Sequence, residues 1–212
     1  MVQLQQIKPL EIEAESFRII ERAFESQTGR KVEAFTDNRF PILRRVIHAT
    51  GDFSFCESLS FSEGAVEAGI ESIRQGKNIL LDVNMGAAGI SKGILGRYGG
   101  RVICRVSDPV VAEKAKVAGL TRSETAMSMA VEDNIGIIGI GNAPTALLAC
   151  MELIDKGVLN PDLVVGVPVG FVNAAESKEI LSQKGYPFIT SLGRKGGSPV
   201  AAAIINAILR LV

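Results

Sequence analysis

The stretch IGIIGIGNAPTA, residues 135–146, runs from six apolar or glycine residues through a glycine turn into a proline. A strand with no polar residue on either face belongs in a sheet covered on both sides, which in practice is a parallel sheet. Four other runs read the same way: NILLDV (78–83), RVICRV (101–106), LVVGVP (163–168) and PFITSL (187–192). Helical signals lie between them. SFSEGAVEAGIESIRQG opens with Ser60 and Glu63 at capping-box spacing and lines up Val66, Ile70 and Ile73 on one face. APTALLACMELIDKG ends at Gly157, a helix-terminating position, and SPVAAAIINAILRLV (198–212) reads as a further helix. Residues 1–75 read as helical, without a strand. The alternation predicts right-handed crossovers and one three-layer α/β/α domain over residues 1–212, built on a parallel five-stranded sheet behind a helical N-terminal segment.

Three strand-to-helix junctions share one design: 135–146, VVGVPVGFVNAAES (164–177) and FITSLGRKGGSPVAA (188–202). Asn142, Asn173 and Ser198 are placed to cap the helices that follow, Asn173 with Glu176 at capping-box spacing. In a parallel sheet all three open on the carboxyl edge, where such folds bind ligands. Glycine lets the backbone approach a ligand, and free N–H groups at a helix start attract anions. Tight α/β turns use glycine without any ligand, but three such loops together, one carrying Arg194 and Lys195, favour an anionic ligand. Gly139 and Gly141 open like a dinucleotide fingerprint, yet Pro144 stands where the third glycine belongs, and the following strand ends without an acid for a ribose. GRKGGS lacks the GK[ST] order of a P-loop.

Composition narrows the class. Lysine plus arginine and aspartate plus glutamate both number 23, so the formal net charge is zero and the basic excess of a nucleic-acid protein is missing. Hydrophobic residues at 47% argue against disorder. The N-terminal MVQLQQIKPLEIEAES has no signal-peptide core, and no apolar run is long enough to span a membrane. Cys56, Cys104 and Cys150 lie far apart, in no metal-binding spacing, with Cys104 read as a core strand residue. The expectation is a soluble cytoplasmic protein with reduced thiols and no nucleic-acid or membrane partner.

One histidine occurs in 212 residues, in RRVIHATGD (44–52). TDNRFPILRRVIHATGD reads as a helix capped by Asp37 or Asn38, with Pro41 in its first turn and Phe40, Leu43 and Ile47 on its apolar stripe. His48 falls off that stripe, towards Arg44 and Arg45, in the last turn before Gly51. It is either a surface or half-buried residue without a role or a lone proton-transfer group; no second base is present to serve a nucleophilic triad.

RRVIHATGDF, GLTRSETAM, GIGNAPTALL, VVGVPVGFVNAAESKE and GRKGGSPVAAAIINAIL together resemble the precorrin-8 methylmutases of corrin biosynthesis, from about Ser16 onward. RVIHAT and GRKGGS are closer to the cobalt-precorrin-8 enzymes. The resemblance implies a flavodoxin-like fold, a homodimer, and an intramolecular methyl shift from C-11 to C-12 of a tetrapyrrole, giving cobyrinic acid or its metal-free counterpart. It implies no added cofactor, any cobalt being carried by the substrate. It puts the catalytic histidine at His48, a pocket arginine at Arg122 and a pocket serine at Ser16, and makes Asn84 and Met85 of DVNMGAAGI pocket-lining candidates. With Asn142, Arg194 and Lys195 from the glycine loops, these form the expected substrate-binding set. A corrinoid carrier without chemistry and a nucleotide-dependent oxidoreductase are the rival readings.

Overall fold

The computed structural model describes residues 7–35, 37–130 and 134–212. Among these, six strands form one sheet: β1 (Leu59–Phe61), β2 (Asn78–Leu81), β3 (Val102–Ile103), β4 (Ile135–Ile140), β5 (Leu163–Gly166) and β6 (Phe188–Ser191). The helices are α1 (Ile12–Thr28), α2 (Arg39–Thr50), α3 (Phe55–Ser58), α4 (Ala65–Arg74), α5 (Asn84–Gly89), α6 (Lys92–Leu95), α7 (Pro109–Ala118), α8 (Arg122–Ser128), α9 (Pro144–Asp155), α10 (Ala174–Ser182) and α11 (Ser198–Leu209).

The spatial order is β1-β6-β5-β4-β2-β3. β2 to β6 are mutually parallel, and β1 runs antiparallel to β6, with Leu59 opposite Ser191. The sheet is therefore six-stranded and mixed, which corrects the expected five parallel strands. Every residue of β2, β4, β5 and β6 is buried, because helices cover both faces. Successive side chains point to opposite faces. Leu81, Ile137, Leu163 and Val165 meet the α4, α5 and α11 side, while Leu80, Ile138 and Val164 meet the α8, α9 and α10 side. α11 is buried along nearly its whole length: it lies on β4 and β5 and is covered in turn by α2 and α5, and α1 packs outside α2.

Two elements differ from their sequence reading. Ser60 does not start a helix; it sits in β1, and α4 begins only after Gly64, whose φ of 67° ends the strand segment. Ser62, between them, is tied to β6: its N–H donates to the Phe188 carbonyl (3.0 Å) and its hydroxyl accepts from the Phe188 N–H (2.8 Å). The strand read over 101–106 shrinks to two residues paired only with β2. Its chain leaves the sheet edge before Asp108 caps α7, so Cys104 is half-buried and outside the strand.

Candidate active site

The strand order reverses direction between β2 and β4, and α/β sheets bind ligands beyond the carboxyl ends of their strands at such a point. The three glycine-rich loops do open on that edge and lock onto one another. The Val169 N–H donates to the Gly141 carbonyl (3.3 Å), the Gly170 N–H to the Arg194 carbonyl (3.2 Å) and the Gly197 N–H to the Val167 carbonyl (2.8 Å). Contacts this close explain two of the glycines. A Cβ at Gly141 would lie 2.6 Å from Ser198 Cα, and one at Gly196, where φ is 156°, would lie 2.2 Å from the Val167 oxygen.

The side chains expected to cap these loops do not. Ala143 and Gly197 hold the N-cap positions of α9 and α11, and Asn173 takes the left-handed conformation (φ 58°) with no side-chain cap bond. The α9 start is closed instead by Asp82, at the end of β2. Its carboxylate, 1% exposed, accepts from the backbone N–H of Gly141 (3.2 Å), Asn142 (2.8 Å) and Ala143 (2.9 Å). Burial raises its pKa, and the three donors act in the opposite sense. The amides that would cradle a nucleotide phosphate at the switch point are thus already occupied by an internal carboxylate, which argues against the oxidoreductase reading. Among the described residues, no group of three His, Cys, Asp or Glu side chains is placed to hold a metal ion.

His48 lies in the last turn of α2, ended by Gly51 in the left-handed conformation. Phe40, Leu43 and Ile47 are buried as the stripe requires, and His48 is exposed. At the helix start, Asp37 accepts from the Arg39 N–H (3.1 Å), while Asn38, in the cap position, forms no side-chain cap bond. Phe17 of α1 meets the imidazole edge-on, centroids 5.4 Å apart at 80°. Arg44 and Arg45 pack against that same phenyl ring at 4.1 Å and 5.3 Å, and pair with Glu21 and Glu13. Among the described residues neither ring nitrogen of His48 has a hydrogen-bond partner. The imidazole is held by its carbon frame, with its nitrogens open to an incoming molecule.

The loop after α2 reaches the third glycine loop. Lys195 Nζ donates to Asp52 Oδ2 (2.6 Å) and Ser54 Oγ (2.8 Å). The Lys195 bond, followed by bonds from Ser54, lowers the Asp52 pKa from 3.8 to about 2. A depressed carboxylate stabilises the fold above its unfolded value, so this tie is complete above pH 3.8 and fades as pH falls towards about 2. Both side chains are partly exposed, so the stabilisation is expected to be about 0–1 kcal/mol. The stability difference between the wild-type chain and Asp52→Asn should stay level from neutral pH to pH 5, then vanish during acid titration; urea melts across that range check it.

Arg122 is the first residue of α8, behind a complete capping box of Thr121 and Glu124, and Thr121 Oγ1 lies 3.1 Å from Thr145 Oγ1 of α9. Arg122 therefore stands beside the 141–143 loop, across the sheet from the α2 and α11 side. Arg194 is exposed, its guanidinium 5.4 Å above the Phe171 ring. Among the described residues neither arginine has an ion pair, unlike Arg18, Arg22, Arg39, Arg44 and Arg45. Exposed apolar residues follow two of the strands: Met85, in the first turn of α5, is 70% accessible, and Phe171 and Val172, in the loop after β5, are 83% and 78% accessible.

The other candidates are less free. Asn84 Nδ2 donates to Ser107 Oγ (2.6 Å), and Ser16 Oγ donates back to the Ile12 carbonyl (2.8 Å), one residue from the phenyl that meets His48. Lys195 is engaged with Asp52 and Ser54, as above. Asn142 is exposed and contributes its backbone N–H to Asp82. Sequence reasoning missed Asp82, which closes the NILLDV strand; Phe171, the one aromatic residue in its glycine loop; and Lys178, which reads as an ordinary helix lysine.

A family model described as precorrin-8X methylmutase matches residues 11–211. The chain is similar to the cobalt-precorrin-8 methylmutase of Priestia megaterium, 44% identical over 203 residues that make up 95% of this chain and 88% of the relative. It is similar to the precorrin-8X methylmutase of Pseudomonas aeruginosa, 43% identical over 167 residues, 77% of this chain and 80% of that one. A crystal structure of the precorrin-8x methyl mutase of Thermus thermophilus superposes with a TM-score of 0.84 at 42% identity, covering 94% of both chains.

Proposed function

Because the chain belongs to the precorrin-8X methylmutase family, and so is an isomerase of cobalamin biosynthesis, we propose that it moves a methyl group from C-11 to C-12 of precorrin-8 or its cobalt form, with His48 as general acid–base. What supports this reading is the set of interlocked glycine loops at the carboxyl edge, tied through Lys195 to the segment that follows α2, together with an imidazole and two guanidiniums that have no hydrogen-bond or ion-pair partner among the described residues.

A tetrapyrrole is a flat apolar ring edged with acetate and propionate groups. Met85, Phe171 and Val172 offer apolar surface to the ring. Arg122 and Arg194 suit its carboxylates, since a guanidinium donates paired hydrogen bonds to a carboxylate. Ser16, Asn84, Asn142 and Lys195 complete the proposed set as second contacts. Protonation of the conjugated system by His48 makes the ring electron-poor and assists migration; return of the proton completes the cycle. The shift is intramolecular and redox-neutral, so no added cofactor is invoked, and any cobalt belongs to the substrate. The reading extends to a single domain with a flavodoxin-like arrangement of its five parallel strands, working as a homodimer in the cytoplasm. No helix of the described residues is long and apolar enough to cross a membrane.

Incubation with precorrin-8 or cobalt-precorrin-8 while following the absorption spectrum tests the function, because conversion to the corrin changes the chromophore. An unchanged spectrum with tight corrin binding would leave a carrier. Arg122→Ala is expected to weaken binding of the carboxylated product about tenfold, the loss of one charge-assisted pair. A product titration checks it, and unchanged affinity would remove Arg122 from the site.

A further inference from the structure

Lys178, on α10, is buried to 0% exposure, and Asp82 is the only other charged side chain so enclosed among the described residues. Its ammonium donates to the Lys195 carbonyl at 2.6 Å. Among the described residues no carboxylate pairs with it, and burial alone lowers its pKa to about 8. An ammonium withdrawn from water without a counter-charge is costly, whereas a helix surface accepts lysine freely.

The Lys195 carbonyl also accepts from Ser191 Oγ at 3.0 Å. Two donors from below turn this carbonyl inward. On either side the loop is pinned to its neighbour, through the Arg194 carbonyl to Gly170 and through the Gly197 N–H to Val167. With the backbone held inward, the Arg194 side chain is left outside, over Phe171.

We propose that Lys178 is a positioning residue for the macrocycle's carboxylates: through the Lys195 carbonyl it fixes the 193–197 loop and presents Arg194 at the carboxyl edge, while its own buried charge finds its counter-ion in the bound substrate. The inference rests on the functional reading above. Charges beneath a surface are screened less than exposed ones, so this cation adds to the attraction that an arriving carboxylate meets.

The test uses Lys178→Met in the full chain. Binding is measured for cobyrinic acid and for the same corrin with its carboxylates amidated, alongside KM and kcat. The expected result is a rise of about tenfold in KM and in the dissociation constant for cobyrinic acid, with kcat within about twofold of wild type and affinity for the amidated corrin unchanged. In an Arg194→Ala background the same substitution should lose most of its effect, because the two residues share the Arg194 contact, and only the smaller part carried by the buried charge itself should remain. Equal losses for both corrins, or full additivity with Arg194→Ala, would overturn the role. If Lys178→Met does not fold, Ser191→Ala removes the other donor to the same carbonyl: a rise of about threefold for cobyrinic acid alone supports the proposal, and no change overturns it. A wild-type chain that binds neither corrin would overturn the functional reading and this role together; wild-type binding that Lys178→Met leaves unmoved would overturn this role alone.

Discussion

His48→Ala is expected to fold, to bind the corrin product and to turn over about 10²–10⁴-fold more slowly, the usual contribution of a general acid–base group. Folding survives because the imidazole is exposed and outside the buried stripe of Phe40, Leu43 and Ile47; its recorded packing is the edge contact with Phe17. Exposed positions of this kind usually change stability by under about 0.5 kcal/mol. Binding survives because the proposed carboxylate contacts, Arg122 and Arg194, belong to α8 and to the loop after β6. A single-turnover assay monitored by absorption, run beside a product titration, separates the two effects. Wild-type turnover in the variant would leave His48 a bystander, and product binding lost in step with turnover would make it a binding group.

The second large effect is structural. Asp82→Ala is expected to destabilise the chain by about 2–4 kcal/mol, because three backbone N–H groups, one buried and two part-buried, lose a charged acceptor. Some of that loss is offset, since the substitution also removes a carboxylate whose burial is itself unfavourable, the reason its pKa is raised. The donors outweigh this term: Gly141, Asn142 and Ala143 present their N–H groups to one carboxylate within 2.8–3.2 Å, and alanine has nothing to offer them. Asp82→Asn keeps one acceptor oxygen and should fall between wild type and alanine. Urea denaturation of the three proteins checks the ranking. A fully stable alanine variant would mean that water replaces the carboxylate without cost.

The parallel strands were legible because burial on both faces leaves an unbroken apolar run, as in β4 and β5. β1 was not: it has three half-buried residues, and its identity depends on a partner some 130 positions later in the chain, Leu59 opposite Ser191. Ser60 and Glu63 satisfy the spacing of a capping box, yet Gly64 and the Ser62 bonds to Phe188 decide where the helix begins. The same lesson applies to the loops. Asn142, Asn173 and Ser198 are good caps by type and position, but the α9 start is closed by Asp82 from about sixty residues upstream, which no local spacing reveals. His48 could be placed off its stripe by helical periodicity alone. Arg122 became a candidate only through resemblance, since one arginine at a helix start carries no pattern. Lys178 was hidden because the period of a short amphipathic helix does not show whether a lysine meets water or a loop folded over it.

The position of α11 governs how this protein can be made. Its buried face fills the centre of one layer, between β4 and β5 on one side and α2 and α5 on the other, yet residues 198–209 are translated after every element they touch. β1 likewise waits for β6 before it has a strand to pair with. Until the 188–209 segment has cleared the ribosome, the Phe40, Leu43, Ile79 and Leu81 side of the nascent chain has no cover, and uncovered apolar surface invites aggregation and chaperone capture. Folding is therefore expected to be late and concerted, with a nascent chain stalled before residue 198 remaining protease-sensitive throughout.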